Sequence, residues 1–159
     1  MSRLLSITFI LLSSLMGTPC QAQGRDSINW ISFEQLSDSL QVHPKKVILF
    51  FHTDWCSYCR KMQNEVFTDA EVISALNNTY YAVRFDAESV DTVTFEGQKF
   101  TNTISKKRTG RYHALAQLLA QREGKLVFPT AILLDEKFTV RQRYFQYLDK
   151  KKLLKAIKF

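Results

Sequence analysis

Cysteine, proline and glycine are all scarce in this chain of 159 residues, which contains three, three and five of them. So few glycines and prolines exclude a collagen-like or low-complexity chain. Three cysteines are too few for the network of several disulfides that stabilises many small secreted domains. The rest of the composition, with 45% hydrophobic and 13% aromatic residues, is typical of one globular domain.

A long hydrophobic run is missing as well, and the apolar stretch at the N-terminus is short. It covers residues 4–16, follows Arg3, and is shorter than the ~20 residues that a membrane-spanning helix needs. Small side chains at Cys20 and Ala22 complete the order of basic region, apolar region and cleavage site. We predict a signal peptide over residues 1–22 and an exported protein, with the periplasm as its expected location.

Two alternatives concern the same end of the chain: an uncleaved anchor or buried helix, and a lipid-anchored N-terminus at Cys20. The preceding Thr18-Pro19 is a poor match to a lipoprotein signal, so the lipid anchor is less favoured. Cleavage after Ala22 leaves a domain of residues 23–159 with no expected membrane span, and loss of Arg3 lowers the formal net charge from +7 to +6. An exported basic domain is expected to meet acidic proteins or a membrane face rather than nucleic acid.

The order of the predicted elements indicates an α/β protein with one central mixed β-sheet. Val47 to Phe51 is a continuous apolar run, which is typical of a strand buried on both faces. The predicted strands are 47–51, 80–85, 130–134 and 139–146, with a further hairpin over 93–101. The predicted helices are 33–42, 55–65, 68–76 and 112–121, and a last one near Asp149 that buries Leu153, Leu154 and Ile157. This order implies helices on both faces of the sheet.

Local signals define the ends of several helices. Residues 32–35 and 68–71 both have the spacing of a capping box. The helix that begins at the first capping box is expected to end at His43-Pro44, and the one that begins at the second is expected to end at Asn77-Asn78. Gly124 lies just past the end of the fourth predicted helix, 112–121.

Residues 87–111 are less regular and separate the third strand from the fourth helix. Their hairpin turns at Glu96-Gly97-Gln98, and a run of basic residues follows over 106–111. We expect this run to be a solvated loop, with a docking patch as the alternative.

Two cysteines three residues apart lie where the buried strand gives way to the second helix. The unpaired N–H groups and partial positive charge of a helix start favour a thiolate, so the pKa of Cys56 should fall below about 8.5. A fall to about 7 would make roughly half of it thiolate at neutral pH. Cys59 lies one turn along the same face, close enough to form a disulfide after a small adjustment. We predict that Cys56 is the exposed nucleophile and that Cys59 is the deeper, resolving thiol.

The same spacing also occurs in zinc sites, which need about four ligands. Of the three histidines, His52 is the best placed to join Cys56 and Cys59, and a metal-binding chaperone using these three residues is the alternative function. A redox-inactive interaction module with inert cysteines is a further one. Disulfide exchange is favoured over both, and we expect no bound metal and no other cofactor.

Residues 47–62, which hold the strand and the cysteine pair, resemble the active-site strand and helix of thioredoxin-like proteins. Residues 65–72 are similar to the branch that includes the periplasmic disulfide-reductase domain. The resemblance extends from about Trp30 to the end, and its most specific parts are residues 55–59 and 128–130. It implies a thioredoxin fold with a small insertion before the strand that follows a cis-proline.

The same resemblance implies roles for three residues that support the site. Pro129 would be a cis-proline facing the disulfide, and the backbone of Phe128 would pair with an extended substrate segment. Trp55 would shield the disulfide and offer a contact surface. Asp54, on the other side of Trp55, is expected to cap the helix.

Two departures from the family pattern affect the chemistry. Many members carry a buried acid six residues before the first cysteine, where this chain has Phe50. His52 or water would then have to help deprotonate Cys59, although a loop histidine without a catalytic role is the favoured interpretation. Ser57-Tyr58 stands where thioredoxins commonly have glycine and proline, which leaves the redox potential open.

The predicted function is therefore thiol–disulfide oxidoreduction by Cys56 and Cys59. The expected activity is reduction or exchange of disulfides in exported proteins, with net oxidation as the alternative direction. The expected partners are proteins with a disulfide or dithiol and a separate redox partner.

Overall fold

The computed structural model describes residues 27–159, so the predicted signal peptide over 1–22 lies outside the described residues. The strands are β1 (Trp30–Ile31), β2 (Lys46–His52), β3 (Tyr80–Asp86), β4 (Val93–Phe95), β5 (Gln98–Phe100), β6 (Gln121–Arg122), β7 (Lys125–Leu126), β8 (Thr130–Leu134) and β9 (Val140–Tyr144). The α-helices are α1 (Phe33–Val42), α2 (Ser57–Lys61), α3 (Ala70–Thr79), α4 (Ala114–Leu119) and α5 (Lys150–Ala156). None of the helices within this described range is long and apolar enough to cross a membrane.

A mixed sheet of five strands lies at the centre, in the order β1-β3-β2-β8-β9. The first three pair in parallel, whereas β8 and β9 join antiparallel. Strand β2 is in the middle, and its residues 47–51 are all buried. The α/β class and the mixed sheet are therefore confirmed, and β2 ends in the centre of the sheet edge that holds the cysteine pair.

The two faces of β2 contribute to two separate hydrophobic clusters because successive side chains of a strand point to opposite sides. Ile48 and Phe50 pack in one cluster with buried residues of α2, α3 and α5. Val47, Leu49 and Phe51 pack in the other with residues of α1 and α4. Helices thus cover both faces, as the sequence predicted.

Several predicted boundaries are correct and several are wrong. Ser32 caps α1 in a complete capping box, and His43 ends that helix. At α3 the cap is Asp69, whose carboxylate accepts from two backbone N–H groups, and Thr68 instead donates to the carbonyl of Asn64. The charged side chain one residue later therefore takes the capping position. Helix α3 also continues through Asn77-Asn78 to Thr79.

The remaining corrections concern chain segments after position 55. The helix predicted over 55–65 begins at Ser57, and its second half, Met62–Val66, is a π-helical turn. Helix α4 is shorter than predicted because β6 and β7 form a small hairpin that turns at Glu123-Gly124. Gly124 thus belongs to this turn and does not end α4. In α5, Leu153 and Ile157 are buried but Leu154 is only partly so.

His113 connects the 87–111 insertion to the rest of the fold. It is fully buried and caps α4 by accepting the N–H of Leu115 at Nδ1. Its Nε2 lies 3.1 Å from the carbonyl oxygens of Asp91 and Phe100, so Nε2 carries the proton and donates to them. One neutral imidazole therefore forms hydrogen bonds with an N–H group at the start of α4 and with two carbonyl groups of the insertion.

The titration of His113 makes a testable contribution to stability. Burial lowers the pKa of His113, although the two carbonyl contacts and Asp91 oppose the shift. Below about pH 6.5 the unfolded chain therefore binds a proton that the native state resists, and the free energy of unfolding falls as the pH drops. We expect this fall between pH 6.5 and 5 to become smaller in His113→Asn, because one of the imidazoles whose pKa burial lowers is removed, the other being His52. Asparagine can still cap α4. Urea denaturation at each pH measures it.

The exposed His43 offers the matched control for that experiment. His43→Asn makes the same substitution at an exposed position and measures the effect of replacing a histidine outside the core. If the free energy of unfolding falls equally with pH in the wild type and in His113→Asn, the contribution assigned to the His113 ring is wrong.

Candidate active site

The cysteine pair is built by the junction between β2 and α2. Cys56 caps the helix, and its sulfur accepts the backbone N–H of Cys59 at 3.1 Å. The two residues form a disulfide with an S–S distance of 2.02 Å and Cα atoms 5.2 Å apart. Cys56, not Asp54, is the N-cap, which corrects the role expected for Asp54.

Both cysteines are more deeply placed than a loop position suggests. Cys56 is 6% exposed and Cys59 is 0% exposed. The predicted order of depth is therefore correct, but only a small part of Cys56 reaches the surface. A substrate has to approach closely over the residues around it in order to contact that sulfur.

The cysteine pair belongs to a cluster of buried apolar side chains. Phe50 is fully buried in the same cluster as both cysteines, and its ring makes an edge contact with Phe67 at 4.9 Å between centroids. Trp30 and Met62 complete the neighbourhood. The position where many relatives of the predicted family carry an acid is thus an aromatic contact in this protein.

A buried carboxylate holds Trp55 beside the pair. Glu88 is 2% exposed, and its Oε1 accepts the indole N–H of Trp55 at 3.0 Å and the backbone N–H of Gly110 at 2.6 Å. Gly110 has a φ of +78°, a left-handed conformation that favours glycine. Trp55 remains 50% exposed, so the hydrogen bond orients a side chain that still offers a surface to solvent.

Trp55 also contacts the loop before β8. The peptide bond between Phe128 and Pro129 is cis. The Phe128 ring lies edge-on to Trp55, with 6.3 Å between centroids, and also contacts Tyr112. Pairing of β8 with β2 begins at Thr130, so the backbone of Phe128 lies just outside the ladder.

A second group of charges lies on the chain that precedes Trp55. Lys107 contacts the carboxylates of both Asp54 and Asp86. Its hydrogen bond lowers the pKa of Asp54. Asp86 also accepts the backbone N–H of Glu88, which fixes the turn that carries the carboxylate under Trp55.

Comparison with known proteins fits this arrangement. Residues 33–159 match the family described as a thioredoxin-like domain. The chain belongs to the thioredoxin-like family. No curated protein sequence matches it.

Solved structures share the thioredoxin-like fold. The oxidoreductase DsbH is 17% identical, with a TM-score of 0.59 and 89% of each chain covered. A thioredoxin from Thermus thermophilus is 21% identical, with a TM-score of 0.57 over 83% of this chain and 85% of that one. The reduced C-terminal domain of DsbD from Neisseria meningitidis is 16% identical, with a TM-score of 0.51 over 79% and 90%. At these identities the likeness concerns the fold.

In this thioredoxin-like protein His52 does not join the cysteines. It lies at the end of β2 and stacks on Phe50 with 5.9 Å between centroids. Burial lowers the pKa of His52, while the nearby Asp86 opposes that shift. Among residues 27–159, no three histidine, cysteine, aspartate or glutamate side chains form a group that could hold a metal ion. The three-residue metal site of the alternative function is therefore not assembled in the described part of the chain.

Three residues of the thioredoxin-like site were missed by the sequence analysis. Glu88 and Lys107 come from the insertion, 32 and 51 residues after Cys56, and Tyr147 comes from the segment before α5. Tyr147 pairs with Tyr58, which is 61% exposed beside the disulfide. Lys107 belongs to the basic run that the sequence predicted as a solvated loop, but no local pattern marks its contacts or the side chains of Glu88 and Tyr147. Each one reaches the site through tertiary contacts.

The difference in depth predicts selective labelling of the reduced protein. Iodoacetamide at pH 7 should alkylate Cys56 well before Cys59, because the sulfur of Cys59 is covered on all sides. Peptide mapping by mass spectrometry after short exposure measures the order. The same reaction in denaturant, where both thiols are free, should label the two equally. Faster labelling of Cys59 in the native protein would contradict the assignment of the two depths.

Proposed function

We propose that the protein is a thiol–disulfide oxidoreductase that reduces or exchanges disulfides of exported proteins, with Cys56 as nucleophile and Cys59 as resolving thiol. The observation that carries the proposal is the Cys56–Cys59 disulfide at the start of α2, with the sulfur of Cys56 next to a helix N–H. A cysteine pair that forms a disulfide at a helix start can cycle between the dithiol and the disulfide. The names of the structural neighbours, DsbH oxidoreductase and thioredoxin, are consistent with this chemistry.

The activation of Cys56 follows from the group that faces its sulfur. The N–H of Cys59 points at that atom and, in the reduced protein, would donate to a thiolate more strongly than to a thiol. Cys56 is also the N-cap of the helical segment that runs through α2 and the following π-turn, where the helix dipole favours a negative charge. We therefore expect the pKa of the reduced Cys56 to lie below that of a free cysteine.

The exchange proceeds in two balanced steps. The thiolate of Cys56 attacks one sulfur of a substrate disulfide, a mixed disulfide forms, and the other substrate sulfur leaves as a thiolate. The thiolate of Cys59 then attacks the sulfur of Cys56, which releases the second substrate sulfur. The substrate gains two electrons, and the enzyme pair is oxidised to the disulfide that the structure contains. A separate dithiol donor has to reduce the pair before the next cycle.

The apolar surroundings of Cys59 affect the second step. Cys59 is fully buried in a cluster that includes Phe50, so desolvation favours its neutral thiol. The thiolate that leaves the substrate in the first step is a base produced at the site itself, and its protonation by Cys59 couples the two steps. This route requires no carboxylate at position 50.

The surface around the pair supports binding of an extended segment. Trp55 and Tyr58 are exposed on either side of Cys56. The backbone of Phe128 lies outside the β2–β8 ladder and can pair with an added strand, as in other cases of strand addition. We infer that a substrate segment lies over Cys56 between Trp55 and Tyr58, with Pro129 next to the attacked sulfur.

The proposed location follows from the N-terminal pattern. Residues 1–22 have the features of a cleaved signal peptide, which supports export and a periplasmic domain of residues 23–159. Disulfides persist in such compartments and provide the substrates that this chemistry needs.

The trapping of substrates tests the proposed roles. In Cys59→Ser the resolving thiol is gone, so mixed disulfides between Cys56 and natural substrates should accumulate severalfold over the wild type. Non-reducing electrophoresis of exported proteins followed by mass spectrometry identifies them. Cys56→Ser should form none through position 56 and serves as the matched control. A Cys59→Ser protein that is folded, has a free thiol at Cys56 and yields no adducts would refute the exchange mechanism.

The reduction potential tests the direction. A protein that acts as a reductase should have a potential near the thioredoxin value of about −270 mV, measured by equilibration with glutathione or dithiothreitol buffers. A value near about −120 mV, which is typical of strong oxidants, would assign net oxidation instead.

A further inference from the structure

The basic run over residues 106–111 is attached to the active site at two points. We call it the basic loop; its sequence is Lys-Lys-Arg-Thr-Gly-Arg. One attachment is Lys107, which contacts Asp54 and Asp86. The other is the N–H of Gly110, which donates to the carboxylate that also holds Trp55. The loop is therefore fixed beside Trp55 and is not a free surface turn.

The attachments use the acidic groups nearby. Glu88 is buried under the loop, Asp86 is largely covered, and Asp54 is paired with Lys107. These three acidic side chains are therefore bound by Lys107 or by the backbone of the loop. They form no ion pair with the other basic side chains of the loop.

Three cations remain on the solvent side of the loop. Lys106, Arg108 and Arg111 are exposed, and their side chains form no ion pair with any residue in the described range 27–159. Two of the three are arginines, whose planar guanidinium groups bind carboxylates through two parallel hydrogen bonds. Because Gly110 and Trp55 share the carboxylate of Glu88, the backbone that carries these cations is attached at the side chain that flanks Cys56.

We propose that the basic loop is a recognition surface for acidic residues that flank the target cysteine of a substrate protein. This inference rests on the proposed exchange function and adds a substrate class to it. An acidic protein segment is favoured over a membrane surface because the loop has no apolar side chain to insert and is attached to the reaction centre itself. Exposed carboxylates on a substrate would be attracted by the three cations and would bring its disulfide to Cys56.

Two peptides that differ only in charge provide the test. Each contains one intramolecular disulfide; glutamates flank one cysteine in the first, and glutamines replace them in the second. We expect reduced wild-type protein to react about tenfold faster with the acidic peptide at low ionic strength, within the range of electrostatic steering. The advantage should shrink in 0.5 M salt, because ions screen exposed charges. Stopped-flow tryptophan fluorescence or quenched chromatography gives the two rate constants.

A loop variant and a matched control identify the responsible charges. In Lys106→Gln/Arg108→Gln/Arg111→Gln the ratio of acidic to neutral rate constants should fall to near one. The control Lys151→Gln/Lys155→Gln/Lys158→Gln removes the same net charge from α5 and the residues that follow it. Helix α5 packs against α3, so this control should keep most of the wild-type ratio. Circular dichroism and thermal melting establish that both variants are folded.

The outcomes separate failure of the inference from failure of the proposed function. A wild-type ratio near one, or an equal loss in both variants, would overturn the recognition role while exchange with both peptides continued. Binding to phosphatidylserine vesicles that is lost only in the loop variant, together with a ratio near one, would assign the loop to a membrane face. No reaction of the reduced wild type with either peptide would instead refute the exchange function.

Discussion

The contact between the N–H of Cys59 and the sulfur of Cys56 is the interaction on which the rest of the site depends. It exists because β2 is buried on both faces and delivers the chain to a fixed point at the sheet edge, where α2 starts. The same contact caps the helix and places the two sulfurs within bonding distance. The same sulfur of Cys56 therefore serves both the local fold and the redox chemistry. A side chain without a hydrogen-bond acceptor at position 56 would leave the N–H of Cys59 unpaired.

The presence of Phe50, in place of an acid, changes how the thiol of Cys59 can be deprotonated. A buried carboxylate beneath the disulfide would assist deprotonation of the second thiol but would cost free energy by its desolvation. Phe50 avoids that cost and packs against Phe67 and Trp30 in the main cluster. The buried carboxylate of this site is instead that of Glu88, which accepts hydrogen bonds from the indole N–H of Trp55 and the backbone N–H of Gly110. Orientation of Trp55, not proton transfer to Cys59, is the role that this position supports.

The sequence predicted the parts of the site that depend on local pattern. The apolar run of β2, the cysteine spacing and the proline that precedes Thr130 can each be recognised over a few residues. The order of the elements, and from it the mixed sheet, was predicted from local patterns of the same kind. Caps were less predictable, because Thr68 and Asp69 are adjacent candidates and only the backbone geometry selects Asp69. The contacts of Glu88 and Lys107 could not be predicted, since they depend on how the insertion folds back over the sheet edge.

That folding back explains why the insertion belongs to the active site. His113 fixes its two turns to the start of α4, while Asp86 at the end of β3 fixes its beginning. Between these points the insertion supplies Glu88, which accepts the indole N–H of Trp55, and Gly110, which donates to the same carboxylate. Because these attachments use buried or paired groups, the exposed side chains of the basic loop are free to vary without disturbing the cysteine pair. The architecture thus separates the chemistry, fixed by β2 and α2, from recognition, which the insertion can adjust.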